Sequence, residues 1–342
     1  VATKISASPA ESPDAAFVSP APGGARVMSS PSPEPSAKFD ASSCSAVLVT
    51  YFPDLEVLDR VLAAVLPQVG RVIVVDNGSS VDIAATSWGR RVEVLALGRN
   101  FGIAYAHNRG LEAAMRHGSR YALLLDQDSV PNPDMVERLA AALRAAAQDG
   151  YRAAAAGPRY LDPRTGRESF FPVLAGWWQF RKVFCGANPG RQYLRTDVLI
   201  SAGTLIRTEA LLDIGPMCEP LFIDEVDTEW CLRARSKGYA VVGACGTQMH
   251  HTMGAHIVRV KLRREHAVPV HSPVRLYYMA RNHFLLQRMP HVPGRWSIPS
   301  LRRLVMRFVL FSFLVPPRWQ NARMMLRGVW DGLRSRSGPY TR

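Results

Sequence analysis

Two carboxylates separated by one residue, Asp126 and Asp128, follow the apolar run Tyr121 to Leu125 and precede Ser129-Val130-Pro131. A pair at that spacing, at the end of a buried strand, can hold one hard divalent cation. A cation there would neutralise a diphosphate and stabilise it as a leaving group. The competing explanation is that Asp128 or Ser129 caps the next helix, which accounts for one acid but not for both. A second acidic set lies further along. Asp224, Asp227 and Cys231 fall at i, i+3 and i+7 of a predicted helix over Asp224 to Lys237 and share one face, while Glu225 and Glu229 point elsewhere. A carboxylate so placed can take a proton from an attacking hydroxyl. Plain helix-surface charge, drawn to the first turn by the macrodipole, explains Asp224 well and Asp227 less well.

These acids need elements to carry them. Ser45 to Tyr51 reads as a buried strand, Asp54 to about Leu66 as a helix, and RVIVVD as a second buried strand ending in the turn Asp76-Asn77-Gly78-Ser79. VEVLALG, a helix over Phe101 to about His117, the strand YALLL and a helix from Pro133 to Ala147 continue the alternation. Leu199 to Arg207 reads as a further strand, Glu209 to Ile214 as a helix and YAVVGA as the strand after Gly238. Strands alternating with helices across short connections predict a doubly wound, mostly parallel α/β sheet, whose ligands bind at the carboxyl ends of the strands. TYFPD, DNGSS and DQDS all sit at such ends. Asp76 there can hydrogen-bond a nucleobase or ribose, although an ordinary Asn-Gly turn explains the cluster equally well. Small residues from Gly98 to Gly110, among them Gly102, begin a helix against whose amino end a nucleotide can lie. The run is not a G-x-G-x-x-G fingerprint, which weighs against a dinucleotide cofactor.

Composition narrows the classes. The chain has 342 residues and a formal net charge of +14, which favours anionic partners. A nucleic-acid-binding protein is one reading of that charge. Zinc-finger and RNP signatures are missing, however, and the carboxylates cluster where a phosphate backbone would be repelled, so no nucleic acid is expected. Five widely spaced cysteines without a C-x-x-C pair predict neither a disulfide framework nor a closed zinc site, and fit a reducing compartment. No apolar run reaches the roughly 18 residues needed to span a bilayer. Residues 1–42, rich in Ser, Pro and Ala, are expected to be disordered, with Met28 an alternative start to Val1. A catalytic domain is expected over residues 43–255, its nucleotide half over 43–150 and its acceptor half over 151–255. A basic helical region is expected over 256–342.

In order, VTYFPD, VVDNGSS, the N-x-G-x-A-x-A-x-N-x-G run from Asn100 to Gly110, LLLDQDS, ISAGTLIRTEALLDIG, FIDEVDTEWCLRARSKGY and the H-x-x-G at His251 to Gly254 resemble the family-2 glycosyltransferases. D-Q-D-S and D-x-x-D-T-E-W-C-L-R are most similar to the bacterial rhamnosyltransferase branch. The resemblance spans Ser45 to Asn282. It implies a GT-A fold (Rossmann-like, with a helical basic carboxyl-terminal extension), a divalent metal (Mn²⁺ or Mg²⁺) and inversion at the anomeric carbon. It further implies a nucleotide-sugar donor, with dTDP-rhamnose favoured over UDP- or GDP-sugars. On this basis Asp126, Asp128 and His251 hold the metal, with His250 as the competing histidine. Thr50, Tyr51, Asp76, Asn77, Asn100, Gly102, Asn108, Gln127 and Arg281 bind the donor. Asp227 is the general base, and Asp224 positions the acceptor.

Arg275, Tyr277, Tyr278, Arg281 and Asn282 form a helix-like stretch rich in phosphate-binding groups. Beyond Gly294, arginines recur beside Leu, Val, Phe, Trp and Met, with Asp331 the only acid. Such a segment suits either a membrane interface, where a lipid-linked saccharide acceptor would lie, or a hairpin packed on the catalytic domain with a basic rim. The expected setting is the cytoplasm, at the inner face of the cytoplasmic membrane, in surface polysaccharide synthesis.

Overall fold

Every residue of the first strand, β1 (Cys44–Thr50), is buried, with Cys44, Ala46 and Leu48 in one apolar layer and Val47 and Val49 in the other. That is what a strand covered on both faces requires. In the computed structural model, which describes residues 39–341 apart from 87, 165, 187–189, 252–255 and 262–264, this strand lies inside one large mixed sheet. Residues 1–38 of the segment expected to be disordered, and Gly254 of the H-x-x-G string, lie outside the described residues.

Asp54 caps α1 (Leu55–Val65) by accepting from the Glu56 and Val57 N–H groups, and β2 (Arg71–Asp76), β3 (Glu93–Ala96), α2 (Ile103–Arg116) and β4 (Tyr121–Asp126) follow. β1, β2, β3 and β4 pair in parallel in the order β4-β1-β2-β3. α2 lies on this sheet so closely that a Cβ on Gly110 would stand 2.2 Å from Val47 Cγ1. After the short β5 (Val130–Pro131) and α3 (Met135–Gln148), the alanine-rich β6 (Ala153–Asp162) enters the sheet, with the two-residue β7 (Arg167–Glu168) on its edge.

β8 (Phe171–Ala175) and β9 (Gln179–Val183) form a separate hairpin, and β10 (Tyr193–Thr196) and β11 (Leu205–Arg207) return to the main sheet. α4 (Thr208–Ile214), α5 (Val226–Ser236) and β12 (Ala240–His250) complete it in the order β10-β12-β6-β11-β4-β1-β2-β3. β6 and β12 are parallel to each other, and β11 runs antiparallel to both β4 and β6. The doubly wound, mostly parallel sheet expected from the alternation is present, with an antiparallel strand inserted at its centre.

Four expectations are corrected. The strand read over Leu199 to Arg207 is only β11, because residues 199–204 form a loop tied to β4 through Gly203 N–H to Leu124 O at 2.7 Å. The helix read from Asp224 starts at Val226, since Asp224 and Glu225 both adopt φ of +62°. The region from 256 opens with a hairpin, β13 (His256–Lys261) and β14 (Glu265–Val270), before α6 (Pro273–Leu286), α7 (Ser297–Val309) and α8 (Arg318–Leu333). Finally, Cys185 and Cys245 are joined as a disulfide, with Cα atoms 5.4 Å apart, which removes the cysteine argument for a reducing compartment. The pair is 60 residues apart in sequence, Cys185 lying just after β9 and Cys245 within β12, where the Cys245 N–H also bonds Gln192 O at 2.9 Å.

Candidate active site

The carboxyl ends of β1, β2 and β4 form one rim. Asp76, at the end of β2, is nearly buried and accepts from Thr50 Oγ1 at 2.9 Å, Ser79 Oγ at 2.5 Å and the Ser79 N–H at 2.9 Å. These bonds lock the DNGSS turn. Asn77 Oδ1 accepts from the Phe101 N–H at 2.9 Å, while Asn100 Oδ1 accepts from Asn77 Nδ2 and from the Gly102 N–H. Gly102 has φ of +91°, and a Cβ there would meet the Phe222 carbonyl oxygen at 2.6 Å, so only glycine fits this junction. Gln127 Oε1 accepts the Tyr51 N–H at 2.7 Å, tying the end of β1 to the Asp126-Asp128 loop. Tyr51 and Phe52 are exposed beside it, edge to face at 4.7 Å.

Across the rim, Asp126, Asp128 and His251 offer ligand atoms that all lie within 4.8 Å of one another. His251 Nδ1 is 2.9 Å from Ser129 Oγ, and the ring stands edge-on to Tyr160 with centroids 6.0 Å apart. His250 is held in β12 opposite Val130, so His251 is the histidine of the cluster. Burial pushes the Asp126 carboxyl up, and Asp128 adds to this against the pull of His251 and Arg275. A cation between the acids would relieve both penalties. Two carboxylates and an imidazole suit Mn²⁺ better than Mg²⁺, which prefers an all-oxygen shell.

The second acidic set stands on α5 and the turn before it. Asp227 is half-buried, accepting from the Thr228 N–H at 2.7 Å and the Ser201 N–H at 3.2 Å. Burial, reinforced by the Glu225 carboxylate, raises its carboxyl to about 7. Asp224 does not share that helix face. It is paired with Arg275, whose Nε lies 3.2 Å from both carboxylate oxygens and whose Nη2 lies 3.1 Å from Oδ1. Burial by itself would lower Arg275, but Asp224, Asp126 and Asp227 together hold it above the usual arginine value. One guanidinium thus lies within electrostatic reach of carboxylates from β4, α5 and the turn between Phe222 and Glu225.

Two residues expected at the donor are elsewhere. Asn108 is buried and spends its amide on the loop after α4, donating to Met217 O and Glu219 Oε1 and accepting the Met217 N–H. Arg281 is 1% exposed, and its guanidinium bonds the Leu221 and Gly338 carbonyl oxygens and Asn282 Oδ1. The amide of Asn282 donates to Leu221, Ile223 and Asp224 carbonyl oxygens at 2.7–2.9 Å. Together they hold a turn in which Phe222, Asp224 and Glu225 all have positive φ, a conformation costing about 1–2 kcal/mol per residue. The residues missing from the sequence-derived set are Arg275, Ser129, Tyr160 and Ser201. Arg275, Ser129 and Ser201 carried a sequence signal, as members of the Arg275 to Asn282 stretch and of the D-Q-D-S and ISAGTLIRTEALLDIG strings, whereas Tyr160 carried none.

Residues 45–215 match the model of the family described as Glycosyl transferase family 2. The dTDP-rhamnosyl transferase RfbF of Shigella flexneri is 31% identical over 301 residues, covering 87% of this chain and 97% of RfbF. Among solved structures, S. aureus TarS 1-349 in complex with UDP-GlcNAc superposes with a TM-score of 0.53 at 15% identity, over 86% of this chain and 81% of that one. GalNAc-T7 with UDP, GalNAc and Mn²⁺ gives 0.50 at 14% identity, over 82% and 59%. These last two likenesses establish the fold.

Proposed function

Given that the chain belongs to glycosyl transferase family 2, in its rhamnosyltransferase branch, we propose that it moves L-rhamnose from dTDP-L-rhamnose to a hydroxyl of a glycan or lipid-linked saccharide, with inversion and with a divalent metal. The observation that carries this reading is the cluster of Asp126, Asp128 and His251, whose Asp126 lies, like Asp227, within electrostatic reach of Arg275. The donor is favoured by RfbF, which is named for dTDP-rhamnose. The setting proposed is the inner face of the cytoplasmic membrane, in surface polysaccharide synthesis.

In this reading the nucleoside lies along the Thr50–Asp76–Asn77 rim, where the Asp76 turn and the Asn77–Asn100 latch keep the backbone rigid. Asp126, Asp128 and His251 hold the cation, and Ser129 orients the imidazole. When bound, the cation supplies positive charge to the departing diphosphate. Asp227 takes the proton of the acceptor hydroxyl as its oxygen bonds to the anomeric carbon. The bond from that carbon to the diphosphate breaks on the opposite face, and its electron pair leaves with dTDP. A carboxyl raised to about 7 suits this task, because it is basic enough to accept a proton and still ionised in a useful fraction near neutrality. Asp224 is unsuited to the same role, since Arg275 already occupies both of its oxygens. It serves instead to anchor Arg275 between the two halves of the site.

Thermal shifts with dTDP-, UDP- and GDP-sugars, with and without Mn²⁺ or Mg²⁺, on the wild type and Asp128→Ala test the proposal. Metal-dependent stabilisation by dTDP-rhamnose, lost in the variant, is the expected result. Preference for a UDP- or GDP-sugar would overturn the sugar and leave the chemistry. Stabilisation indifferent to metal and to Asp128→Ala would overturn the metal site.

A further inference from the structure

α7 is amphipathic, but its apolar side faces outward. Ile298, Leu301, Val305, Met306 and Val309 recur at helical spacing and are all exposed, Met306 at 63%. The opposite side carries the buried Leu304 and half-buried Arg307 and Phe308, packed toward the protein. Phe313 continues the exposed apolar surface beyond the helix, and α8 presents a second stripe of Trp319, Leu326, Trp330 and Leu333, with Trp319 78% exposed. Single exposed apolar residues need no explanation, whereas a helix that turns its whole apolar stripe to solvent does.

Charge narrows what covers it. Arg302, Arg318, Arg323 and Arg334 are exposed among these residues. Asp331 is the only acid beyond Gly294. It is buried and already bonded to Tyr277 Oη at 3.0 Å and Arg336 Nη1 at 3.1 Å. A second copy meeting this face about a twofold axis would set arginines against arginines with no carboxylate to pair them. A polynucleotide would pair with the arginines and leave the apolar stripe wet. A bilayer with anionic headgroups satisfies both: the aliphatic and indole groups enter the interface, while the guanidinium groups reach lipid phosphates.

We propose that the outward faces of α7 and α8 form a docking surface for an anionic lipid bilayer. The placement also serves the site. The half-buried Arg307 of α7 lies within electrostatic reach of Asp224, and the exposed Arg303 within reach of Glu225, on the turn that precedes Asp227. A bilayer on the outer side of α7 would therefore approach the same turn. A saccharide carried on a lipid phosphate would thus be delivered beside the general base. This last step rests on the proposed acceptor class, and the docking itself does not.

Co-sedimentation of the full chain with vesicles of phosphatidylcholine alone, or mixed with phosphatidylglycerol, tests the surface without any donor. The double substitution Val305→Asp with Met306→Asp changes only exposed side chains, and donor-induced thermal shift reports that the fold and donor site are intact. The expected result is binding to the mixed vesicles only, weakened by added salt and reduced about tenfold or more by the double variant. Absence of binding, binding equal on both vesicles, or binding that the double variant leaves unchanged would each overturn the proposal. A concentration-dependent dimer abolished by the same variant would assign the face to a second copy instead.

Discussion

Replacing Asp227 by asparagine is expected to cost activity and to shift stability in the variant's favour as pH rises. The carboxyl stands at 3.8 when free and at about 7 in the fold, chiefly through burial. The folded pKa is the higher one, so the folded state binds the extra proton. The wild type is therefore most stable below the free value and loses stability as pH rises towards the folded value. At about pH 5 only about one unit of the difference has been expressed, and by about pH 8 the full three, leaving two units or about 2.7 kcal/mol between them. Because Asp227 is only half-buried, solvent screening brings this to about 2 kcal/mol.

Asparagine cannot ionise, so the variant lacks this term. Its single carbonyl accepts one of the two N–H groups of Ser201 and Thr228, and leaving the other unpaired costs about 1–3 kcal/mol. That cost is the same at both pH values and cancels when they are compared. Urea unfolding of both proteins at about pH 5 and about pH 8 should therefore show the variant gaining about 2 kcal/mol relative to wild type between the two. Its rate of transfer should fall by about 10²–10⁴-fold, the usual contribution of a general base. A stability difference that does not change with pH would refute the account of Asp227 given above, whatever happened to the rate.

The wild-type rate itself should rise with pH and level off above about 7, since the base must be ionised, and a profile flat from about pH 5.5 to 8 would count against Asp227. The Cys185–Cys245 bridge closes a loop with a separation of 60 residues, worth about 4 kcal/mol by loop-closure entropy. A reductant should lower the unfolding midpoint of the wild type and leave Cys185→Ser unaffected; equal responses would mean that the bridge does not form in solution. Gly110→Ala forces a methyl to within 2.2 Å of Val47 Cγ1 and should destabilise by about 1–3 kcal/mol in chemical unfolding, whereas a neutral result would mean that α2 lies further from the sheet.

What could be read directly was whatever depends on neighbours along the chain. The buried strands announced themselves as apolar runs because both of their faces are covered, and the polar clusters after them fell at carboxyl ends because helices must follow in a parallel sheet. The Asp126-Gln127-Asp128 loop, the helix read from Asp54 and the family resemblance were legible for that reason, and the glycosyltransferase fold they implied is the one observed. Local patterns misled where the backbone departs from regular geometry. Asp224 and Asp227 match helical spacing, yet the chain before Val226 passes through left-handed conformations that no periodicity can register.

Long-range decisions belonged to the tertiary structure alone. Arg281 and Asn108 are chemically suited to a nucleotide, and only packing shows their polar groups occupied by backbone carbonyls and a buried loop. The choice of His251 over His250 follows from β12 keeping His250 in its ladder. The Cys185–Cys245 bridge and the meeting of Arg275 with Asp224 join residues far apart in sequence. Residue types and spacing determined which chemistry this chain can perform, because ionisation, ligation and apolar periodicity are properties of side chains and their near neighbours. Which of several suitable side chains performs it was decided by burial and by distances between remote segments, and those exist only once the sheet has closed.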